Sequence, residues 1–318
     1  MTASFPLPYS LTGKRVWVAG HRGMVGSAIV RRLQAENCEI VTIPHAALDL
    51  TRQDDVEEWL MRIKPHAIFH AAARVGGILA NSTYPAEFLH DNLAIQTSVI
   101  EGARKSGVEK LLMLGSSCIY PKFAEQPIAE DALLTGPLEP TNEWYAIAKI
   151  AGLKLAQAYR VQYGCDFISA MPTSLYGPGD NFDLQSGHVL PALLRKTHEA
   201  KLAGAPSVTM WGTGTPRREF MHVDDCADAL VHLMRHYSSE GHINVGTGQD
   251  ITIAELTAQV CRVVGFSGHI ERDPSKPDGT PRKLLNIDRL TSLGWTPRIP
   301  FPDGLAQTYR WYLEHQNP

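Results

Sequence analysis

Arg15-Val-Trp-Val-Ala19, then Gly20-His21-Arg22-Gly23-Met24-Val25-Gly26, then Ser27-Ala-Ile-Val-Arg-Arg-Leu33: this stretch decides the fold. Its first part reads as a short buried strand and its last as an amphipathic helix. Three glycines spaced G-x-x-G-x-x-G join them. A strand, a glycine-rich turn and a helix in that order are the context a dinucleotide-binding motif needs. Gly20 permits the tight turn, Gly23 lets the backbone approach a pyrophosphate, and Gly26 allows the helix to pack closely on the strand. The helix N-terminus then offers free N–H groups and positive partial charge to phosphates. Gly20, His21, Arg22, Gly23, Met24, Val25 and Gly26 are therefore the expected cradle. A glycine motif standing alone would read equally as a structural turn; its place directly after the first strand favours the dinucleotide.

Which dinucleotide is a question of charge. An NAD site carries an acid at the end of the second strand to bind the ribose 2′-OH. Here that strand is Glu39-Ile-Val-Thr-Ile43, and Pro44-His45-Ala46-Ala47 follows without an acid, Asp49 coming only later. Arg22 lies inside the glycine loop, where it can pair with a 2′-phosphate, with His45 near enough in sequence to assist. The expected cofactor is NADP(H). The competing reading makes Arg22 a solvated loop charge.

Further along, apolar strands at Arg15–Ala19, Glu39–Ile43, Ala67–Ala72, Lys110–Gly115 and Asp166–Met171 alternate with helical patterns near 24–36, 54–63, 85–106 and 141–163. Apolar strands separated by helices indicate a parallel sheet covered on both faces. The fold class is α/β, a doubly wound parallel (Rossmann) sheet. After Pro172 the texture changes. Tyr176-Gly-Pro-Gly-Asp-Asn-Phe182 reads as a loop, Val189–Leu202 as a helix and Val208–Gly212 as a short strand. Residues 224–237 begin a helix with acids in its first turn, as the macrodipole favours, and His242–Gly246 reads as another sheet strand. The second lobe is thus expected to be smaller and discontinuous. Residues 1–172 plus about 219–248 would form the NADP-binding domain, and about 173–218 plus 249–318 the substrate-binding domain.

Composition removes other classes. Thirty Lys+Arg against 33 Asp+Glu give a net charge of −3 over 318 residues, which argues against a nucleic-acid partner. No apolar stretch reaches the ~20 residues that span a bilayer, so no membrane is expected. The start, Met1 to Ser10, lacks a signal-peptide pattern. Cys38, Cys118, Cys165, Cys226 and Cys261 are odd in number and form neither metal spacing nor a disulfide framework; a reducing cytoplasm fits. His232 and His236 can share a helix face, but no carboxylate or cysteine stands beside them, so no metal site is expected. His222 reads as structural.

Chemistry enters with Ser116, Tyr145 and Lys149. Tyr145 and Lys149 are four apart in Asn142-Glu-Trp-Tyr-Ala-Ile-Ala-Lys149 and share a helix face. A lysine below a tyrosine favours the ionised phenol. Ser116, at the end of Lys110-Leu-Leu-Met-Leu-Gly-Ser116, can hold a carbonyl oxygen aimed at the same point. This is a proton-transfer device for interconverting a ketone and an alcohol beside a hydride carrier. Cys118 follows two residues on, and His188 enters a helix after the loop bordering the cleft. On opposite sides of a sugar ring, a thiolate and an imidazolium can take a proton from one face and return one to the other, with Ser116 and Tyr145 steadying the enolate. Taken alone, Cys118 reads as readily as a small packed hydrophobe and His188 as a helix-start residue.

With these residues placed, the chain resembles the extended short-chain dehydrogenase/reductases. Longer strings sharpen the likeness to members acting on GDP-bound keto-sugars: Gly20–Gly26, Leu114-Gly-Ser-Ser-Cys-Ile-Tyr-Pro-Lys122, Glu139-Pro-Thr-Asn-Glu143, Tyr145-Ala-Ile-Ala-Lys-Ile-Ala-Gly152, Arg218-Glu-Phe220 and Ser275-Lys-Pro-Asp-Gly-Thr-Pro-Arg-Lys283. The resemblance runs from about residue 13 to 316. It implies an NADPH-dependent 3,5-epimerase and 4-reductase converting GDP-4-keto-6-deoxy-D-mannose to GDP-L-fucose. It also implies Cys118 as epimerisation base, His188 as acid, and Tyr145 as proton donor at C4. Lys149 would tune Tyr145 and bind the nicotinamide ribose. Arg218 and Lys283 match cations that hold the GDP moiety, with Ser174, Lys196, Trp211 and His188 on the substrate side. A homodimer built through helices near 85–106 and 141–163 is implied as well. The chain departs from the family at Trp144, where proline is common, at Ser174 for asparagine, at Lys196 for arginine, and in a short segment after 236. Lysine at 196 keeps the charge but loses the two-pronged geometry.

Two other readings compete. A redox-neutral nucleotide-sugar 4-epimerase or dehydratase shares the fold, but a dehydratase wants an acid near position 118, and Arg22 points away from NAD. A non-catalytic NADP-binding regulator would show erosion of Ser116, Tyr145 or Lys149, and all three are intact.

Overall fold

The computed structural model describes residues 8–276 and 278–315; the initial segment through Leu7, part of the stretch read for a signal peptide, lies outside them. In chain order the first half runs β1 (Arg15–Ala19), α1 (Met24–Leu33), β2 (Glu39–Val41), α2 (Gln53–Ile63), β3 (Ala67–His70), α3 (Ile78–Thr83), α4 (Pro85–Ser106), β4 (Lys110–Leu114), α5 (Glu143–Tyr163) and β5 (Asp166–Pro172). The second half runs β6 (Ser174–Tyr176), α6 (Val189–Leu202), β7 (Ser207–Trp211), β8 (Arg217–His222), α7 (Val223–His236), β9 (Ile243–Val245), β10 (Asp250–Thr252), α8 (Ile253–Val264), β11 (His269–Asp273), β12 (Arg282–Lys283), α9 (Asp288–Ser292) and α10 (Phe301–Glu314).

Six parallel strands in the order β2-β1-β3-β4-β5-β9 form the main sheet. The expected parallel sheet is therefore present, and it gains β9 from the second half. Val16, Val18, Phe69, Leu112 and Ile168 point to one face and pack with α1 and α7. Trp17, Ile68, Leu111 and Phe167 point to the other and meet α2, α4 and α5. This alternation on both faces is why the strands read as continuous apolar runs. Between β1 and β3 the strand order reverses direction, which opens a crevice at the carboxyl ends of the strands, the usual ligand position in such sheets.

The second lobe is built on β8, which pairs with β10, β12 and β6, while β7 and β11 form a separate ribbon. Tyr176, expected to open a loop, instead ends β6, pairing with His222. Strands β8, β10, β11 and β12 and helices α8 and α10 lay hidden in the sequence. In β8 the charged run Arg217-Arg218-Glu219 masks the alternation, because Arg217 is paired with Asp250, Arg218 faces a cleft and Glu219 is sealed inside. Helix α8 carried a readable signal: Thr252 and Glu255 form a reciprocal capping box.

Candidate active site

The glycine turn has the geometry a pyrophosphate needs. Gly20 sits at φ +85°, and a Cβ there would lie 2.7 Å from the Ala72 nitrogen. A Cβ on Gly26 would lie 2.1 Å from the Gly20 carbonyl oxygen. Helix α1 therefore starts hard against the end of β1. Its first turn is capped by Gly23 without any side-chain hydrogen bond, which leaves the N-terminal donors for a ligand. Met24 and Val25 lie in this turn, His21 is half-buried and Arg22 is exposed beside it. Gly179, in the loop after β6, approaches within 3.6 Å of Met24 Cα, counted from the Cβ it lacks. The next residue, Asp180, is pushed up to about 7 by burial, and its Oδ2 has no partner. Farther on, Ser186 O accepts from Gly77 N at 2.9 Å, tying the loop to the segment after β3. One wall of the crevice thus comes from the second half of the chain.

Ser116 follows β4 and caps a single turn, Ser117–Ile119, accepting from the Cys118 nitrogen at 3.4 Å. Helix α5 brings Tyr145 and Lys149 to the same strand end. Lys149 Nζ lies 5.7 Å from the Tyr145 ring centroid and donates to Leu114 O at 2.9 Å. Burial lowers the Lys149 ammonium to about 8, opposed by Cys118. Lysine was expected to favour the ionised phenol. Instead burial, helped by Cys118, holds Tyr145 well above the ordinary phenol range. Desolvation of the phenolate dominates, which favours the protonated phenol. His70, the last residue of β3, is also fully buried here. Both of its ring nitrogens are unpartnered, and burial followed by Lys149 presses it down to about 3.

Cys118 is buried. Burial raises its thiol, while Lys283, a hydrogen bond with Ser116, and Lys149 pull the other way. His188 is the N-cap residue of α6. Its pKa is lowered by its surroundings and then by Lys283. Tyr145 is half-buried and His188 is exposed, so the desolvation they feel is that of a cleft wall rather than a sealed core. Lys283, on β12, is paired with Arg218 on β8 in parallel register. The structure therefore brings Ser116, Cys118, Tyr145, Lys149, His188, Lys283 and Arg218 into one electrostatic neighbourhood.

Trp211 and Lys196 form a second group. Trp211 is 55% exposed at the end of β7, with Lys196 Nζ 4.4 Å and Lys276 Nζ 5.5 Å from its ring centroid. Lys276 lies in a turn-rich stretch whose sequence gave no hint of the stacking. The Asp278 carboxylate joins the groups: it accepts from Thr213 N and Oγ1 at 2.7 and 2.9 Å and acts on Arg218. Ser174 is half-buried on β6, opposite Phe220. Two further histidines hold the scaffold: His222 Nδ1 accepts from Asp224 N at the start of α7, and His232 Nε2 reaches Leu293 O at 2.8 Å.

Comparison with known proteins agrees with this geometry. Residues 16–246 match the model of the NAD dependent epimerase/dehydratase family. A GDP-L-fucose synthase of Sinorhizobium fredii is 62% identical over 307 residues, covering 96% of this chain and 98% of that protein. GDP-L-fucose synthase 1 of Arabidopsis thaliana is 61% identical, covering 95% and 94%. The crystal structure of a GDP-L-fucose synthetase from Naegleria fowleri bound to NADP superposes with a TM-score of 0.90 at 28% identity, covering 98% of this chain and 97% of that one.

Proposed function

The chain belongs to the NAD dependent epimerase/dehydratase family, and on that premise we propose that its cleft converts GDP-4-keto-6-deoxy-D-mannose to GDP-L-fucose by 3,5-epimerisation and then NADPH-dependent reduction at C4. It is an enzyme, an NADP-dependent oxidoreductase with epimerase activity. The observation that carries the residue-level reading is the grouping of Cys118 with Ser116, Tyr145 and Lys149 at the carboxyl end of β4, with Lys283 acting on both Cys118 and His188.

C3 and C5 both neighbour the C4 ketone, so a proton lost from either leaves charge that spreads onto one oxygen. Ser116 and Tyr145 donate hydrogen bonds to that oxygen. The Cys118 thiolate takes the proton from one face, and the His188 imidazolium returns one to the other. The same constellation serves both carbons. NADPH, bound by the Gly20–Gly26 turn and the uncapped start of α1, supplies the hydride for C4. Tyr145 gives its phenolic proton to the C4 oxygen, and Lys149, anchored on Leu114 O, sits behind the phenol to stabilise the charge left there. Arg218 and the Trp211–Lys196 stack supply cations and a ring face for the GDP moiety.

The test is to mix the protein with GDP-4-keto-6-deoxy-D-mannose and NADPH in deuterated water and examine the product by NMR. GDP-L-fucose carrying deuterium at C3 and C5 supports both half-reactions. NADPH consumption without deuterium would reduce the activity to a plain 4-reductase.

The proposed domain division gives residues 1–172 with about 219–248 to the cofactor and about 173–218 with 249–318 to the substrate, its boundary falling within β8, which pairs with the second-lobe strands. A homodimer through α4 and α5 is supported by apolar side chains exposed on α5: Ile147 (38%), Val161 (73%) and Tyr163 (50%). A cytoplasmic location is supported by the free cysteines. Among the described residues no helix is long and apolar enough to cross a membrane.

A further inference from the structure

Lys283 was expected to hold the diphosphate; the fold also sets it toward the Cys118 turn. Strand β12 is two residues long, and the chain directly after it is fixed tightly. Leu284 N donates to Gln126 Oε1 at 2.8 Å, and Leu284 O accepts from Ile128 N at 2.8 Å. Leu285 N donates to Glu219 Oε2 at 3.0 Å and bridges Ile128. Glu219 is fully buried; its Oε1 also accepts from Thr247 N and Gly248 N at 2.6 and 2.7 Å, clamping the segment against β8. Leu285 packs in one cluster with Ile119, the residue after Cys118. Lys283 and Leu285 are two apart on extended chain and share a face, so the lysine stem is aimed toward the Cys118 turn.

The charges agree with that direction. Cys118 is faced by Lys283 from β12, by Lys149 and Tyr145 from α5, and by Ser116 from its own turn. Lys283 is faced in addition by Arg218 from β8, His188 from the start of α6 and Glu139 from the loop before α5. Glu139 is itself held by Lys122 at 3.1 Å. Among the side chains acting on Cys118, Lys283 has the largest effect, ahead of Lys149.

We propose that Lys283 is the counter-cation of the Cys118 thiolate, a positioning residue that acts through the epimerisation base rather than as a ligand of the diphosphate. The proposal rests on the reading of Cys118 as that base. It explains how a sealed thiol reaches its reactive form: without an opposing charge, burial keeps it protonated. It also gives one cation two effects. Lys283 favours loss of the proton from Cys118 and, by repulsion, makes protonated His188 a stronger acid. In each inversion the sugar carbon gives its proton to sulfur and receives another from the His188 ring nitrogen. The Cys118 proton then leaves to solvent and His188 regains one, so charge and protons balance over the cycle.

The test monitors Cys118 without turnover. Alkylation by iodoacetamide, read at the Cys118 peptide by mass spectrometry, is measured against pH in wild type, Lys283→Met, Lys283→Gln and Lys283→Arg, with NADPH affinity as the check on folding. Loss of a cation within a few ångströms moves a thiol by about 1–3 pH units. Lys283→Met and Lys283→Gln should therefore shift the midpoint upward by at least about one unit and slow alkylation about tenfold at pH 7, while Lys283→Arg stays near wild type. GDP affinity, measured alongside by calorimetry, should fall less than threefold. An unshifted midpoint in either neutral variant overturns the proposal, and a large loss of GDP affinity with that unshifted midpoint returns Lys283 to the diphosphate. Because no sugar is present, a shifted midpoint stands even if the deuterium experiment shows no exchange at C3 or C5; that result would remove the reaction and leave the ion pair.

Discussion

Replacing Gly26 with alanine tests whether the start of α1 is as tightly seated as its geometry states. The new methyl would lie 2.1 Å from the Gly20 oxygen, 2.6 Å from the Gly20 carbonyl carbon and 2.9 Å from His21 Cα. All three are backbone atoms, so no side chain can swing aside. To reach ordinary contact the helix and turn must part by roughly 1 Å. Helix α1 cannot drift freely, since Ala28, Ile29 and Leu33 are locked into the core. Overpacking of this kind costs about 1–3 kcal/mol, a fall in Tm of about 2–10 °C at this chain length. The N–H groups at the start of α1 would be pulled from the phosphates. Two charge-assisted hydrogen bonds lost, at about 1.5–3 kcal/mol each, weaken NADPH by about 10²–10⁴-fold. Gly23→Ala is the control. Gly23 has φ −73°, and its added Cβ would meet only the Gly20 oxygen, at 3.4 Å. The protein itself tolerates that methyl, so Tm should stay within about 3 °C; only the bound pyrophosphate would object. Thermal melting and fluorescence titration with NADPH separate the two variants. A Gly26→Ala protein that melts and binds as wild type does, or a Gly23→Ala protein that melts equally low, would refute the reasoning.

Tyr145→Phe should abolish NADPH oxidation while deuterium still enters C3 or C5, because Ser116 remains to hold the enolate oxygen; loss of exchange with normal reduction would contradict the assignment. Exchange at C3 and C5 should follow a bell-shaped pH profile. Its acid limb rises as Cys118 loses its proton, and its alkaline limb falls as His188 loses its own. With Cys118 raised and His188 lowered, the active form carries the less populated state of each group, and the same curve is read with the two assignments exchanged. Cys118→Ser, which has no titrating thiol, should therefore lose one limb, and retention of both would remove Cys118 from the mechanism. Arg22→Ala should weaken NADPH about 10–100-fold, the worth of a charge-assisted contact, and leave NADH affinity unchanged; equal losses for both cofactors would make Arg22 a general phosphate contact. Val161→Glu on exposed α5 should convert a dimer to monomer in light scattering, and a monomeric wild type would end the dimer proposal.

The parallel sheet was legible because its inner strands are buried on both faces, so their residues run apolar, as in residues 111–114 of β4. The glycine turn was legible because backbone contacts at Gly20 and Gly26 exclude any side chain. The second lobe obeys neither rule. Strands β6 and β10 have three residues each and β12 has two, too short for alternation to register. Strand β8 hides because Arg218 faces a cleft while Glu219 is sealed and neutralised by backbone donors. A buried carboxylate held mostly by backbone N–H groups looks, in sequence, like a surface charge.

The same asymmetry explains which site residues the sequence could order and which it could only suggest. Tyr145 and Lys149 share one helix, so their spacing alone fixes their geometry. Cys118, His188 and Lys283 come from three elements joined by no local pattern: the turn after β4, the cap of α6 and a two-residue edge strand. Their meeting depends on Glu219 holding the 283–285 segment and on Gly77 N holding the loop before α6 at Ser186 O. On the proposed reading, the reducing pair Tyr145 and Lys149 is anchored to the main sheet, Lys149 through Leu114 O. The proposed epimerisation residues come from strands and loops of both halves of the chain. A change in lobe packing should thus disturb proton exchange at C3 and C5 before it disturbs hydride transfer at C4. Glu219→Gln, which replaces one acceptor oxygen with a donor facing Leu285 N, is the variant in which those two rates should separate.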